Sequence, residues 1–228
     1  MNIALITARI GSKRIKKKNI KSFLGTPIIN TVITKLIKTK LFDKIFISTD
    51  SNEVEKICYS IKNKEIISII NRPKKLSGDY VGTREVVVDF IKKTSLNINT
   101  NLFCIYPTSV FIKKKFIEKA IKILNNNKNS YVFSAKKVNQ NFFRGFFLKK
   151  NKLELIFKNN YNKRTQDLER GYIDAALFYL AKPPTWKKEK MIFSKNSKFI
   201  EINEYDSVDI DYPSDWIFAE KLYKMLKK

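Results

Sequence analysis

The sequence predicts an α/β domain built on a mostly parallel sheet with helices on both faces. Two observations carry the prediction: apolar runs of strand length, beginning with Ile3-Ala4-Leu5-Ile6, and segments of helical spacing that alternate with them up to residue 135. A run apolar at every position suits a strand covered on both faces, and regular strand–helix alternation lays such strands parallel. With 228 residues, 43% of them hydrophobic, the chain has material for one substantial core.

The elements follow in order. After the first strand, Ile28, Ile29, Val32, Ile33, Leu36 and Ile37 repeat with helical spacing, and residues 44–49 read as a second buried strand. Asp50 and Glu53 form a capping box for a helix carrying Val54, Ile57, Cys58 and Ile61 on one face, and residues 66–70 supply a third strand. Val86, Val87, Phe90 and Ile91 mark a helix, 102–106 a strand, Phe116 to Leu124 a helix and 131–135 a strand. From about Asn139 the pattern turns to aromatic, strand-like pieces at 142–148, 153–157 and 172–180, so residues 139–180 are expected to form an inserted β-rich subdomain. A short strand at 208–210 and a helix striped by Trp216, Ala219, Leu222, Tyr223 and Leu226 close the chain.

Composition narrows the chemistry. The chain has no histidine, which excludes imidazole-based nucleophile systems and most zinc sites and leaves carboxylates, cations and metal ions. Two cysteines in apolar segments exclude a disulfide framework. No apolar run approaches the roughly 20 residues that span a bilayer, and the N-terminal run is too short for a signal peptide, so a soluble, cytoplasmic protein is expected. The net charge of +25 resembles that of a nucleic-acid binder, but only seven of 46 basic residues are arginines and lysine is spread over every segment. Charge of that kind is background, and the surviving arginines are the ones whose planar fork is needed. By contrast, seven of the 21 acidic residues fall within 201–220 with no basic residue between them, which signals a local requirement.

Three constellations can carry chemistry. The first strand empties into residues 9–21, seven of which are Lys or Arg. The segment lacks both the P-loop and the dinucleotide fingerprints. Backbone N–H groups around Gly11 and Ser12, with Arg9, Lys13 and Lys18, can nonetheless cradle phosphates, and ligands of open α/β sheets bind beyond strand C-terminal ends. Asp209 and Asp211, two apart in an expected strand, would face one way and share a hard cation such as Mg2+. Arg164-Thr165-Gln166-Asp167 and the strand around Asp174 form either an acceptor site or a charged hairpin on an amphipathic strand.

The segments A-R-x-G-S-K-R-I-x-x-K-N-I-K from Ala8, F-D-x-x-x-x-S-T-D from Phe42, R-P-x-x-L-S-G-D from Arg72 and D-I-D-x-P-x-D-W from Asp209 together resemble the CMP-sialic acid synthetases (acylneuraminate cytidylyltransferases), in the same order over nearly the whole chain. Arg164 to Leu168, the Tyr172 to Tyr179 stretch and Tyr106 are similar to the pseudaminic acid branch. The resemblance implies a Rossmann-like nucleotidyltransferase fold, dimeric through the inserted subdomain, that uses CTP and Mg2+. It implies that Ala8, Arg9, Gly11, Ser12, Lys13, Lys18, Asn19 and Arg72 contact CTP, that Asp209 and Asp211 hold the metal, and that Tyr106, Arg164, Gln166, Asp174, Phe178 and Tyr179 bind the sugar acid. Arg9, Lys18 and Asp211 would be catalytic. The implied reaction is attack of the anomeric C2 hydroxyl of a nonulosonic acid, foremost pseudaminic acid, on the α-phosphorus of CTP, with release of pyrophosphate. N-acetylneuraminic acid or an eight-carbon ketoacid is the alternative acceptor; a basic nucleic-acid module and a non-catalytic relative are readings of other classes. The chain departs from the family pattern at Ile10, Lys16 and Val110, and Ile173, Ala176 and Leu177 stand where the pseudaminic branch has His, Gly and Gln.

Overall fold

The structure, a computed structural model, describes residues 1–61 and 64–227. Among the described residues eleven strands run in chain order: β1 (Asn2–Thr7), β2 (Ser22–Phe23), β3 (Thr26–Pro27), β4 (Lys44–Thr49), β5 (Ile67–Asn71), β6 (Asn101–Ile105), β7 (Val132–Lys137), β8 (Phe146–Lys149), β9 (Lys152–Leu155), β10 (Tyr172–Ala181) and β11 (Lys198–Glu201). The helices are α1 (Ile28–Thr39), α2 (Asn52–Tyr59), α3 (Thr83–Thr94), α4 (Lys114–Asn126), α5 (Pro183–Lys188) and α6 (Pro213–Lys227).

Seven strands form one sheet in the order β11-β7-β10-β6-β1-β4-β5, parallel except where β10 runs against both β6 and β7. Strand alternation sorts the core into two layers. Ala4, Ile6, Ile45, Ile47, Phe103, Ile105 and Phe178 pack with α1, α2, α4 and α6, while Ile3, Leu5, Leu102, Cys104 and Tyr179 pack with α3 and α5. Helices therefore cover both faces, as the apolar runs require.

Four expectations change in detail. Asp50 does not cap α2; Ser51 does, its hydroxyl accepting from the Glu53 N–H at 3.2 Å, while Asp50 turns away and accepts from the Ile10 N–H at 3.0 Å. The expected strand at 208–210 is irregular backbone, because the edge position of the sheet is taken by β11 instead. The expected strand at 142–148 begins only at Phe146, since residues 140–144 wind into a 3-10 turn capped by the Asn139 side chain. The last strand assigned to the 139–180 insert, β10, is a central strand of the main sheet. What stands apart is the β8–β9 hairpin and its flanking turns. Their base is closed by Val138 N–H donating to the Gly171 carbonyl at 3.0 Å, and a Cβ at Gly171 would lie 2.5 Å from the Phe143 ring.

Candidate active site

A cleft of about 760 Å3 opens beyond the C-terminal ends of β1 and β6, where the parallel strands release their loops. Its walls come from the cationic segment after β1, the 76–83 loop, Tyr106 to Thr108 after β6, the β10 residues Asp174, Ala176 and Tyr179, and Asp209 with Asp211. The ends of parallel strands gather residues far apart in sequence at one place.

The cationic loop is braced from beneath. Ala8 N–H donates to the Ser48 carbonyl at 2.9 Å, the Ile10 N–H is held by Asp50, and the buried Asn19 amide donates to the Arg9 carbonyl at 2.8 Å. Ile15 and Ile20 bury their side chains in the α1 layer and pin the loop from inside. Its long cations are left facing the cleft, and carboxylates gather them in pairs. Arg9 and Lys13 meet Asp79 at 2.9 and 2.5 Å; Arg14 and Lys18 meet Asp211 at 2.8 and 3.1 Å. Lys18 also donates to the Ile210 carbonyl at 2.7 Å, and Arg14 stacks over the Tyr212 ring at 5.0 Å. Asp209 sits beside this pair with its carboxyl pushed up, by desolvation first and then by the negative charge of Asp211.

The opposite end is free of lysine and arginine and rich in hydroxyls, with the single carboxylate Asp174. The Tyr106 and Thr83 hydroxyls lie 2.6 Å apart, and the Tyr179 hydroxyl donates to Asp174. The two tyrosine rings meet edge to face at 5.7 Å, and burial pushes the Tyr106 phenol up to about 12. A bulge in β10 creates this wall: its register against β7 shifts between Asp174 and Tyr179. Four side chains hold the bulge, one of them Ser109, whose hydroxyl donates to the Ala176 carbonyl at 3.4 Å. Asp174 accepts from Ala176 N–H at 2.9 Å, Ser134 from Leu177 N–H at 3.1 Å, and Ser207 donates to the Ala175 carbonyl at 2.9 Å. Ala176 itself adopts φ 52°, the left-handed region that an alanine enters at a cost of roughly 1–2 kcal/mol.

Of the residues singled out from sequence, Arg9, Ser12, Lys13, Lys18, Asn19, Arg72, Tyr106, Asp174, Tyr179, Asp209 and Asp211 line this one cleft. Ala8 is buried under the loop, and Gly11 lies exposed at its crest with nothing within 4 Å of the side chain it lacks. Arg72 is 5% exposed and directs Nε and Nη2 to the Ser48 hydroxyl and carbonyl at 3.1 and 2.7 Å, so it ties β5 to β4 and shows only an edge to the cleft. Phe178 is not in the cleft: it is fully buried against Phe103 in the α1 layer, because its neighbour Tyr179 takes the cleft-facing side of the strand. Arg164 and Gln166 lie outside as well, in the exposed turns of the insert, where Arg164 pairs with Asp167 at 2.8 Å. Of the three substitutions in the β10 motif only Ala176 reaches the cleft; Leu177 is in the core and Ile173 on the outer surface. Sequence reasoning missed Asp50, Asp79 and Arg14, although Asp50 and Asp79 are the terminal residues of two of the four motifs.

The donor set at Asp209 and Asp211 suits a hard dication: two carboxylates on one wall, with a like-charge repulsion that a cation relieves. Among the described residues no group of three or more acidic or thiol side chains gathers at metal-binding distance, so this pair alone would hold such a cation by carboxylates, with further oxygen ligands such as phosphate or water completing its shell.

A cation-lined loop after the first strand, ion-paired with one of two neighbouring carboxylates in a cleft at the strand ends, fits an α/β enzyme of the nucleotidyltransferase class. Residues 3–227 match the family described as Cytidylyltransferase, and the chain belongs to that family. It is 31% identical over 227 residues to the pseudaminic acid cytidylyltransferase of Campylobacter jejuni, covering 98% of this chain and 97% of that one. It is 36% identical to a Helicobacter pylori protein named as both pseudaminic acid cytidylyltransferase and UDP-2,4-diacetamido-2,4,6-trideoxy-beta-L-altropyranose hydrolase, covering 91% of this chain and 40% of that relative. The N-acylneuraminate cytidylyltransferase of Streptococcus agalactiae is 26% identical, over 94% of this chain and 51% of that one. In fold the chain is similar to a CMP:2-keto-3-deoxy-manno-octonic acid synthetase solved with CTP, at a TM-score of 0.74 and 11% identity over 99% of both chains.

Proposed function

We propose that this enzyme transfers CMP from CTP to the anomeric hydroxyl of a nonulosonic acid, pseudaminic acid or a close analogue, releasing pyrophosphate. The observation that carries the reading is the single cleft in which four cations of the loop after β1, two carboxylates and a hydroxyl-rich wall converge. Family membership supports the nucleotide, and the Campylobacter relative supports the acceptor.

Arg9, Lys13, Arg14 and Lys18 neutralise the triphosphate and the charge that builds on the departing pyrophosphate. Backbone N–H groups at Gly11 and Ser12 approach the phosphates, which the bare crest at Gly11 permits. Tyr106, Thr83, Asp174 and Tyr179 receive the hydroxyl groups of the sugar acid and hold its C2 oxygen toward the α-phosphorus, the positioning that replaces a covalent intermediate. The hydroxyl proton leaves to the carboxylate wall of Asp209 and Asp211. Mg2+, when bound by that pair, supplies neutralisation of the phosphate oxygens.

We also infer a homodimer formed through the β8–β9 hairpin. Phe146, Leu148, Leu153 and Leu155 share one face of the hairpin, and the first three are more than half exposed. A two-stranded hairpin with a bare apolar face is marginal alone, and a second copy would cover it. Among the described residues no helix is long and apolar enough to cross a membrane, and the need for CTP supports a cytoplasmic reading.

The test is pyrophosphate release from CTP and Mg2+ with a panel of pseudaminic, N-acetylneuraminic and eight-carbon keto acids. Release with pseudaminic acid at the highest kcat/KM supports the assignment. Release with none of them refutes it.

A further inference from the structure

The acidic end of the 72–79 motif has no part in the reaction described above, yet it grips the phosphate loop. Asp79 Oδ1 accepts from Arg9 Nη1 at 2.9 Å, and its Oδ2 lies 2.5 Å from Lys13 Nζ. The same guanidinium donates to the Ser77 carbonyl at 3.1 Å, so Arg9 is anchored to this loop twice. A carboxylate bridging an arginine and a lysine offers them the charge and acceptor oxygens that a phosphate would offer. The four loop cations are thus shared between two carboxylates, and their tasks differ. Asp211 lies next to a second cleft carboxylate, Asp209, and suits a metal. Asp79 has no acidic neighbour among the ion pairs and stands on a surface loop between Gly78 and Gly82, its side chain about one-third exposed. Exposed pairs of this kind are weak and exchange readily.

We propose that Asp79 is a resident counter-ion of the phosphate site: it orders Arg9 and Lys13 in the free enzyme, is displaced by the triphosphate, and so sets nucleotide affinity and favours release of pyrophosphate. A triphosphate brings more negative charge than one carboxylate and engages Arg14 and Lys18 at the same time, so the exchange runs toward bound nucleotide. When pyrophosphate leaves, the returning carboxylate meets the two cations and opposes rebinding. The proposal rests on the reading of the loop as the triphosphate site.

Calorimetric titration of CTP and, separately, of inorganic pyrophosphate into the wild-type protein, Asp79→Asn and Asp79→Ser tests it. Both variants are expected to bind both ligands about three- to tenfold more tightly at low salt, the size of one or two exposed ion pairs no longer competing. The gain should shrink in high salt, where such pairs are screened. Equal or weaker binding by the variants, with the wild type binding normally, overturns the displacement role and shows Asp79 to be a supporting contact. Failure of the wild type to bind either ligand overturns the triphosphate reading itself and the proposal with it.

Discussion

Ala176 concentrates several demands in one residue. It lines the cleft, holds φ 52° and donates its N–H to Asp174, whose other oxygen takes the Tyr179 hydroxyl. A glycine there enters the same backbone conformation freely, so Ala176→Gly should raise the unfolding free energy by about 0.5–1 kcal/mol, the left-handed penalty less glycine's extra chain entropy. Urea denaturation measures it, and a loss of similar size would contradict the strain. The arginines also reward reading by chemistry. Arg72, Arg84 and Arg164 each use two nitrogens of the fork on two acceptor atoms, as expected where lysine is the default cation, while Arg9 reaches its two acceptors through Nη1 alone. Phe178 and Tyr179 show the limit of motif transfer. A resemblance carries both aromatics to the sugar, but adjacent residues of a strand face opposite layers, and only the one paired in space with Tyr106 reaches the cleft.

At the scale of elements, the strands buried on both faces were legible because their apolar runs have no competing explanation; β4 spans residues 44–49 as the sequence predicts, and β1 and β6 fall within a residue or so of it. Elements that carry no such signal were not. Strand β11 reads Lys-Phe-Ile-Glu with only Ile200 buried, the edge of a sheet where one neighbour suffices. Helix α5 starts on two prolines and is only six residues long. The acidic stretch of residues 201–220 signals one local requirement in the sequence, and the structure divides it. Glu201 pairs with Lys137, Asp206 with Lys113, Asp215 caps the start of α6 through the Asp211 and Tyr212 N–H groups, and Glu220 receives Leu24 N–H; Asp209 and Asp211 alone line the cleft. The β8–β9 hairpin carries the oligomer proposal. Leu148→Asp, on its most exposed apolar position, should convert a dimer to a monomer in sedimentation velocity with the far-ultraviolet spectrum unchanged. A wild type that sediments as a monomer, or a variant that stays dimeric, would contradict the hairpin contact.

In the whole molecule, a net charge of +25 is spread over every segment, and only the loop after β1 gathers several of its cations at one cleft. Lysines over the rest of the surface lie in ordinary helical and loop positions, whereas cations of the loop after β1 are ion-paired with Asp79 and Asp211 in the cleft at the strand ends. That is why spacing in the loop was informative and total charge was not. It is also why the acceptor end, assembled by a bulge in an antiparallel strand, was only partly legible: the sequence names Asp174 and Tyr179 but not the register shift that turns them inward. The central claim is that the cations of the loop and the pair Asp209 and Asp211 work as one phosphoryl-transfer site. The most direct measurement compares pyrophosphate release by the wild type and by Asp211→Asn, with CTP, Mg2+ and pseudaminic acid. The exposed pairs that Asp211 makes are worth about 1 kcal/mol or less each, so the variant should stay folded, with a thermal midpoint within a few degrees of the wild type, while kcat falls at least about 100-fold. Full turnover by a folded Asp211→Asn enzyme would contradict the account.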